Sequence, residues 1–162
     1  MKKIFVLLVA IATMFAQDVF AQDKPQLSDE QKAAAKAKRE QLMQTRLELL
    51  KTELQLTDEQ LAKFEPVYRR YRGEIQRVTG YNKEARIKKE QITNENALSV
   101  VSARLANNVL TSTVKQRYIM LFADVIEPLK VMKLYNVDEK VSREASKIMK
   151  YRQQAAQMDT KK

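Results

Sequence analysis

Two glycines and three prolines in 162 residues leave few places where this chain can turn. Ordinary globular usage is roughly 7% and 5%, and here Gly73, Gly80, Pro25, Pro66 and Pro128 are the whole set. Folds built from many short strands need turn formers at every connection. The bulk of the chain is Ala, Gln, Glu, Lys, Arg and Leu, which lose little side-chain freedom in a helix. The expected fold class is therefore all-α, with four long antiparallel helices and no second domain.

Helix 1 is expected over residues 28–54, opened by Ser28 and Gln31 in a capping-box spacing. Its first half has no large apolar stripe, whereas Met43, Leu47, Leu50 and Leu54 recur at three and four and define a buried seam. Helix 2 is expected over 58–90. Leu61, Phe64, Tyr68, Tyr71, Ile75, Val78, Asn82 and Ala85 hold the same alternation, which suits packing at shallow crossing angles. Pro66 removes one backbone bond within it, and Gly73 and Gly80 each cost about 1 kcal/mol relative to alanine, so a bent helix is expected. Helix 3 is expected over 95–124 with an apolar set of Leu98, Val101, Leu105, Leu110, Val114, Tyr118, Leu121 and Val125. That set drifts near Asn107 and Asn108. Helix 4 is expected over 128–157, presenting Leu134, Val137, Val141, Ala145 and Ile148.

The first 21 residues have the grammar of an export signal. Lys2 and Lys3 precede a short apolar run over 4–15, and Val19-Phe20-Ala21 supplies small-residue cleavage chemistry. Cleavage is expected after Ala21, with Ala16 as the alternative. A run of that length is too short to span a bilayer core of roughly 30 Å. Loss of Lys2, Lys3 and Asp18 with the leader changes the net charge from +10 to +9. In a nuclear or cytosolic chain that charge would suggest nucleic acid, but in an exported chain it is expected to favour acidic or unfolded polypeptides and anionic envelope surfaces. Nucleic acid is not expected as a partner. Peripheral membrane contact stays open, although no strongly amphipathic Trp/Phe-rich segment favours it. The absence of cysteine excludes disulfides and lipid attachment at a cysteine.

One phrase, Leu56-Thr57-Asp58-Glu59-Gln60-Leu61, reads completely as a helix start. Thr57 is the N-cap, Gln60 completes the capping box, Leu56 and Leu61 have the hydrophobic-staple spacing, and Asp58 and Glu59 face the positive end of the helix dipole. A looser version recurs as Ile126-Glu127-Pro128-Leu129-Lys130-Val131, with Pro128 at the favoured N1 position.

Leu56-Thr57-x-x-Gln60 resembles the LTxxQ motif of the Spy/CpxP-like envelope proteins, and Ile126-Glu127-Pro128 occupies the place of their second copy. The resemblance covers most of the chain after the leader in organisation, and these two places in motif. It implies a periplasmic, bent, cradle-like bundle completed by homodimerisation. It also implies an ATP-independent chaperone for unfolded or stressed envelope proteins. The alternative is an envelope-stress or sigma-factor regulator that binds one membrane-bound sensor.

Eight basic residues against two acidic ones lie between positions 69 and 89. Arg69, Arg72, Gln76, Thr79, Lys83 and Arg86 repeat the three-four spacing one position after the buried seam, so they are expected to form a basic stripe flanking it. Solvated helix faces commonly look like this. As a functional surface, the stripe would draw in acidic client segments at long range, an effect that salt weakens. Arg69, Arg72, Arg77, Tyr81, Lys83 and Arg86 are the client-binding candidates. Tyr81 is included because it lies off the seam. Phe64, Tyr68 and Tyr71, at seam spacing, are expected in the core. No cofactor or metal is expected, since there is no histidine or cysteine and Met43, Met120, Met132, Met149 and Met158 are scattered. With no histidine base, thiol or glycine-rich phosphate loop, the chain is not expected to be an enzyme.

Overall fold

A computed structural model describes residues 28–159, and the expected leader over 1–21 lies outside them. Four α-helices follow in order: α1 (Asp29–Leu54), α2 (Asp58–Tyr81), α3 (Ala97–Ala123) and α4 (Pro128–Asp159). Two short 3-10 turns, Glu84–Arg86 and Lys89–Gln91, join α2 to α3. No strand occurs among the described residues, so the fold is all-α. None of the described helices is long and apolar enough to cross a membrane.

The chain divides into two compact units, Met1–Ala37 and Lys38–Lys162. The described part of the first unit is a helix start. Ser28 Oγ accepts from the amide of Gln31 at 3.2 Å, and Gln31 Oε1 accepts from the amide of Ser28 at 3.1 Å, closing a capping box.

The second unit carries the core. Leu47, Leu50 and Leu54 of α1 meet Phe64, Val67, Tyr68 and Tyr71 of α2. Tyr118 and Phe122 of α3 and Leu134 and Val141 of α4 complete the cluster. Aromatic rings knit three helices together: Phe64 lies 5.5 Å from Phe122, Tyr71 lies 5.4 Å from Tyr118, and Phe122 lies 6.2 Å from Tyr135. Such tilted and edge-on pairs add about 0.5–1.5 kcal/mol each beyond their buried area. The pairing order gives the directions. Phe64 faces Phe122 while Glu74 faces Tyr118 and Asn82 faces Asn107, so α2 and α3 run antiparallel. Glu53 reaches Lys140 while Thr45 reaches Met149 and Arg152, so α1 and α4 are antiparallel too. Gln60 meets Glu127 and Tyr68 meets Asp138, so α2 and α4 run parallel.

Two features differ from the pattern in the sequence. First, α2 stops at Tyr81 instead of continuing to residue 90. The backbone turns at Asn82 because side chains supply the bonds a continued helix would have made. Asn82 Nδ2 donates to Asn107 Oδ1 at 3.1 Å, Asn107 Nδ2 to the Thr79 carbonyl at 3.4 Å, and Arg104 to the carbonyls of Ala85 and Ile87. Second, the buried face of α3 is Val100, Val114, Tyr118 and Phe122, with half-buried Ala103, Asn107 and Thr111 filling the same spacing. Leu98, Val101, Leu105, Leu110 and Leu121, expected inside, are exposed. Asn107 and Thr111 occupy core-facing positions because Asn107 bonds α2, so the apolar count followed the wrong side over the first half of the helix, while Val114 and Tyr118 are buried as expected.

Buried polar groups also set the relation of α2 to α4. Asp138 is 4% exposed and accepts from Tyr68 Oη at 2.7 Å, Tyr71 Oη at 3.2 Å and Arg72 Nη1 at 3.1 Å. A carboxylate this buried needs several donors to offset its lost hydration.

Candidate functional site

The phrase at residues 56–61 sits at a junction of three helix ends. Gln55 closes α1 in the left-handed conformation, at φ 51°. The Leu56 amide donates to the Lys51 carbonyl at 2.9 Å and the Gln55 amide to the Thr52 carbonyl at 3.2 Å, the two bonds of a Schellman motif. Leu56 then buries in the core while Thr57 starts α2. Thr57 Oγ1 accepts from the Gln60 amide at 3.1 Å, and Gln60 Oε1 accepts from the Thr57 amide at 3.2 Å. Leu61 is half-buried against the same core.

The second phrase meets the first in space. Gln60 Nε2 donates to Glu127 Oε1 at 2.8 Å, while Lys130 Nζ donates to Gln60 Oε1 at 2.9 Å and to the Gln55 carbonyl at 3.1 Å. The amide of Lys130 donates to the Glu127 carbonyl at 2.8 Å, and Pro128 opens α4. Glu127 precedes Pro128 at the start of α4, and its carboxylate meets Gln60 Nε2 and Lys130 Nζ, not an amide of the first turn. Its own backbone amide first, then Lys130 and Gln60, hold its pKa below the usual carboxylate range. Ile126 buries beside it. These residues position helices, and none is a nucleophile, a base or a metal ligand in this arrangement.

The six client-binding candidates separate into two groups. Arg69 bonds Glu40 through both terminal nitrogens, at 2.6 and 2.9 Å, and Glu65 through Nε at 2.7 Å. Those carboxylates, Glu40 foremost, raise its pKa above the ordinary guanidinium value. Arg72 is committed to Asp138. With Gln76 and Thr79, which are exposed, these two arginines form the α2 wall of a cleft against α1, so Arg69 and Arg72 of the expected stripe are half-buried against other helices. Arg77, Tyr81, Lys83 and Arg86 are exposed at the end of α2 and in the turn beyond it. Arg86 donates to the Gly80 carbonyl, one of the last of the helix.

Sequence reasoning missed a second exposed surface. Leu98, Val101, Leu105 and Val109 are 83%, 53%, 59% and 66% exposed. At spacings of three, four and four they form one outward stripe on the half of α3 that packs beside the Glu84–Arg86 turn. Tyr81, 80% exposed, stands on the opposite arm of the same hairpin. A contiguous apolar strip is unusual on a solvated helix face. The signal was present as the drift of the apolar set at Asn107.

No protein-family model matches the chain, and no curated protein or solved structure matches it either.

Proposed function

We propose that this is a periplasmic, ATP-independent chaperone-like protein that holds unfolded or stressed envelope proteins, as the Spy/CpxP-like resemblance implies. The observation that carries the reading is the outward apolar stripe of Leu98, Val101, Leu105 and Val109, on a chain that also exposes Arg77, Tyr81, Lys83 and Arg86. An unfolded client displays apolar side chains and, when acidic, a field that basic residues attract over about 10 Å at moderate salt. Neither group on this surface requires a fixed partner shape, which suits many clients better than one.

The test is aggregation of several denatured clients with stoichiometric protein and no nucleotide. Suppression is expected, strongest at low salt and lost in a Val101→Asp/Leu105→Asp variant whose melting temperature is unchanged. Unaltered aggregation across all clients, or full protection by the double variant, would sink the assignment. Recovery of a single saturable membrane-bound partner from envelope extract would favour the regulatory alternative. Sedimentation of the same variant decides whether the stripe also joins two copies of the chain, since a homodimer using it would become monomeric.

A further inference from the structure

The cleft between α1 and α2 has a volume of about 360 Å³. Four guanidinium groups reach it, those of Arg39, Arg46, Arg69 and Arg72. Glu40 and Glu65 neutralise Arg69, and Asp138 neutralises Arg72. Arg39 and Arg46 have no acidic partner among the described residues. Arg46 Nε and Arg72 Nε are buried without a hydrogen-bond partner among the described residues. Buried polar atoms are nearly always satisfied, and a half-buried guanidinium with no direct ion pair is costly. Burial, and then repulsion from Arg72, pull the Arg46 pKa below its ordinary value even with Asp138 nearby.

The arginines of the cleft outnumber the carboxylates paired with them by one, so the cleft has a positive charge in excess that an anion would balance. A carboxylate would supply one charge and two oxygens. A phosphomonoester carries about −1.5 to −2 at neutral pH and offers three strong acceptor oxygens, one more than a carboxylate for the donors of Arg39 and Arg46. Leu42, Met43 and Ile75 line the rest of the cleft and leave apolar room for the organic group that bears the phosphate. We propose that this cleft is a phosphomonoester-binding site, with Arg46 and Arg72 holding the phosphate and Arg39 closing the outer side. The site is separate from the exposed stripe of α3 and does not depend on client holding.

Calorimetric titration of the purified chain with inorganic phosphate and with glycerol 3-phosphate, in matched chloride, tests this directly. Co-sedimentation with phosphatidylcholine vesicles, with and without phosphatidic acid, forms the second arm. Saturable binding is expected in at least one arm. Arg46→Met should weaken it by about tenfold or more, because a charge-assisted bond to the anion is lost. Lys133→Met removes the same charge from an exposed site on α4 and should leave binding within about twofold. Gly73→Glu is the second variant. A side chain there meets nothing within 4 Å, and it brings a carboxylate to the cleft wall while improving helix propensity, so it should abolish binding in a protein at least as stable. Binding in the soluble arm supports the site with a free ligand, and binding only to phosphatidic acid supports it with a lipid headgroup. No saturable binding in either arm, or equal weakening by Arg46→Met and Lys133→Met, would overturn it.

Discussion

Gln60 and Glu127 lie 67 residues apart in the chain, yet the amide nitrogen of one donates to the carboxylate of the other at 2.8 Å. The start of α2 is thereby bonded to the start of α4. Glutamine suits the position because its oxygen returns to Thr57 and receives Lys130 while its nitrogen reaches Glu127. Gln60→Ala should lower stability by about 1–2 kcal/mol, the scale of losing several such bonds. Gln60→Glu keeps the acceptor but sets two carboxylates together, so it should also destabilise, and added salt should partly rescue it alone. Chemical denaturation of both variants at two salt concentrations checks this.

Removing the Asp138 carboxylate should be the most damaging single change in the bundle. Asp138→Ala leaves Arg72 and two tyrosine hydroxyls without their acceptor in the core. Loss of one partner of a buried ion pair costs roughly 3–5 kcal/mol. Tyr68→Phe, which leaves the ion pair in place, should cost only about 1 kcal/mol. Equal effects of the two variants in urea denaturation would contradict this ranking.

Alkaline pH should unfold the protein through its core tyrosines. Burial first, and Asp138 second, raise the pKa values of Tyr68, Tyr71 and Tyr135, the last to about 12. A raised folded-state value means the unfolded chain releases its protons first, near pH 10. This contribution is complete below about pH 10 and falls as pH rises beyond it. Tyrosinate absorbance from these residues should appear together with loss of helical circular dichroism, not ahead of it.

The α1 terminus holds Gln55 in a left-handed conformation that glycine adopts without strain. Its side chain makes none of the described bonds, whereas its carbonyl accepts from Lys130. Gln55→Gly should therefore raise stability by about 0.5–1 kcal/mol, after the added freedom of the unfolded chain is subtracted. A lower melting temperature would mean that Gln55 is better accommodated than its backbone angle implies.

The seams of α1 and α2 and the cap at Thr57 were legible because each depends on residues close in sequence. Phe64, Tyr68 and Tyr71 had the spacing of a core and are buried. The end of α2 was hidden, since Val78, Asn82 and Ala85 continue a helical pattern and the bonds that break it come from Arg104 and Asn107 on another helix. The roles of Arg69 and Arg72 were hidden for the same reason. Their carboxylate partners Glu40 and Asp138 lie 29 and 66 residues away, and no local spacing announces them.

α3 is apolar on its inner side at Val100, Val114 and Tyr118 and on its outer side at Leu98, Val101 and Leu105. Hydrophobicity alone gives such a rod little reason to prefer one angle about its own axis. Asn107, paired with Asn82, supplies that reason, because half a revolution would strand both amides. The amide pair thus works as an index mark on a nearly symmetric shaft. Replacing both asparagines with leucine should blur which flank of α3 the solvent sees.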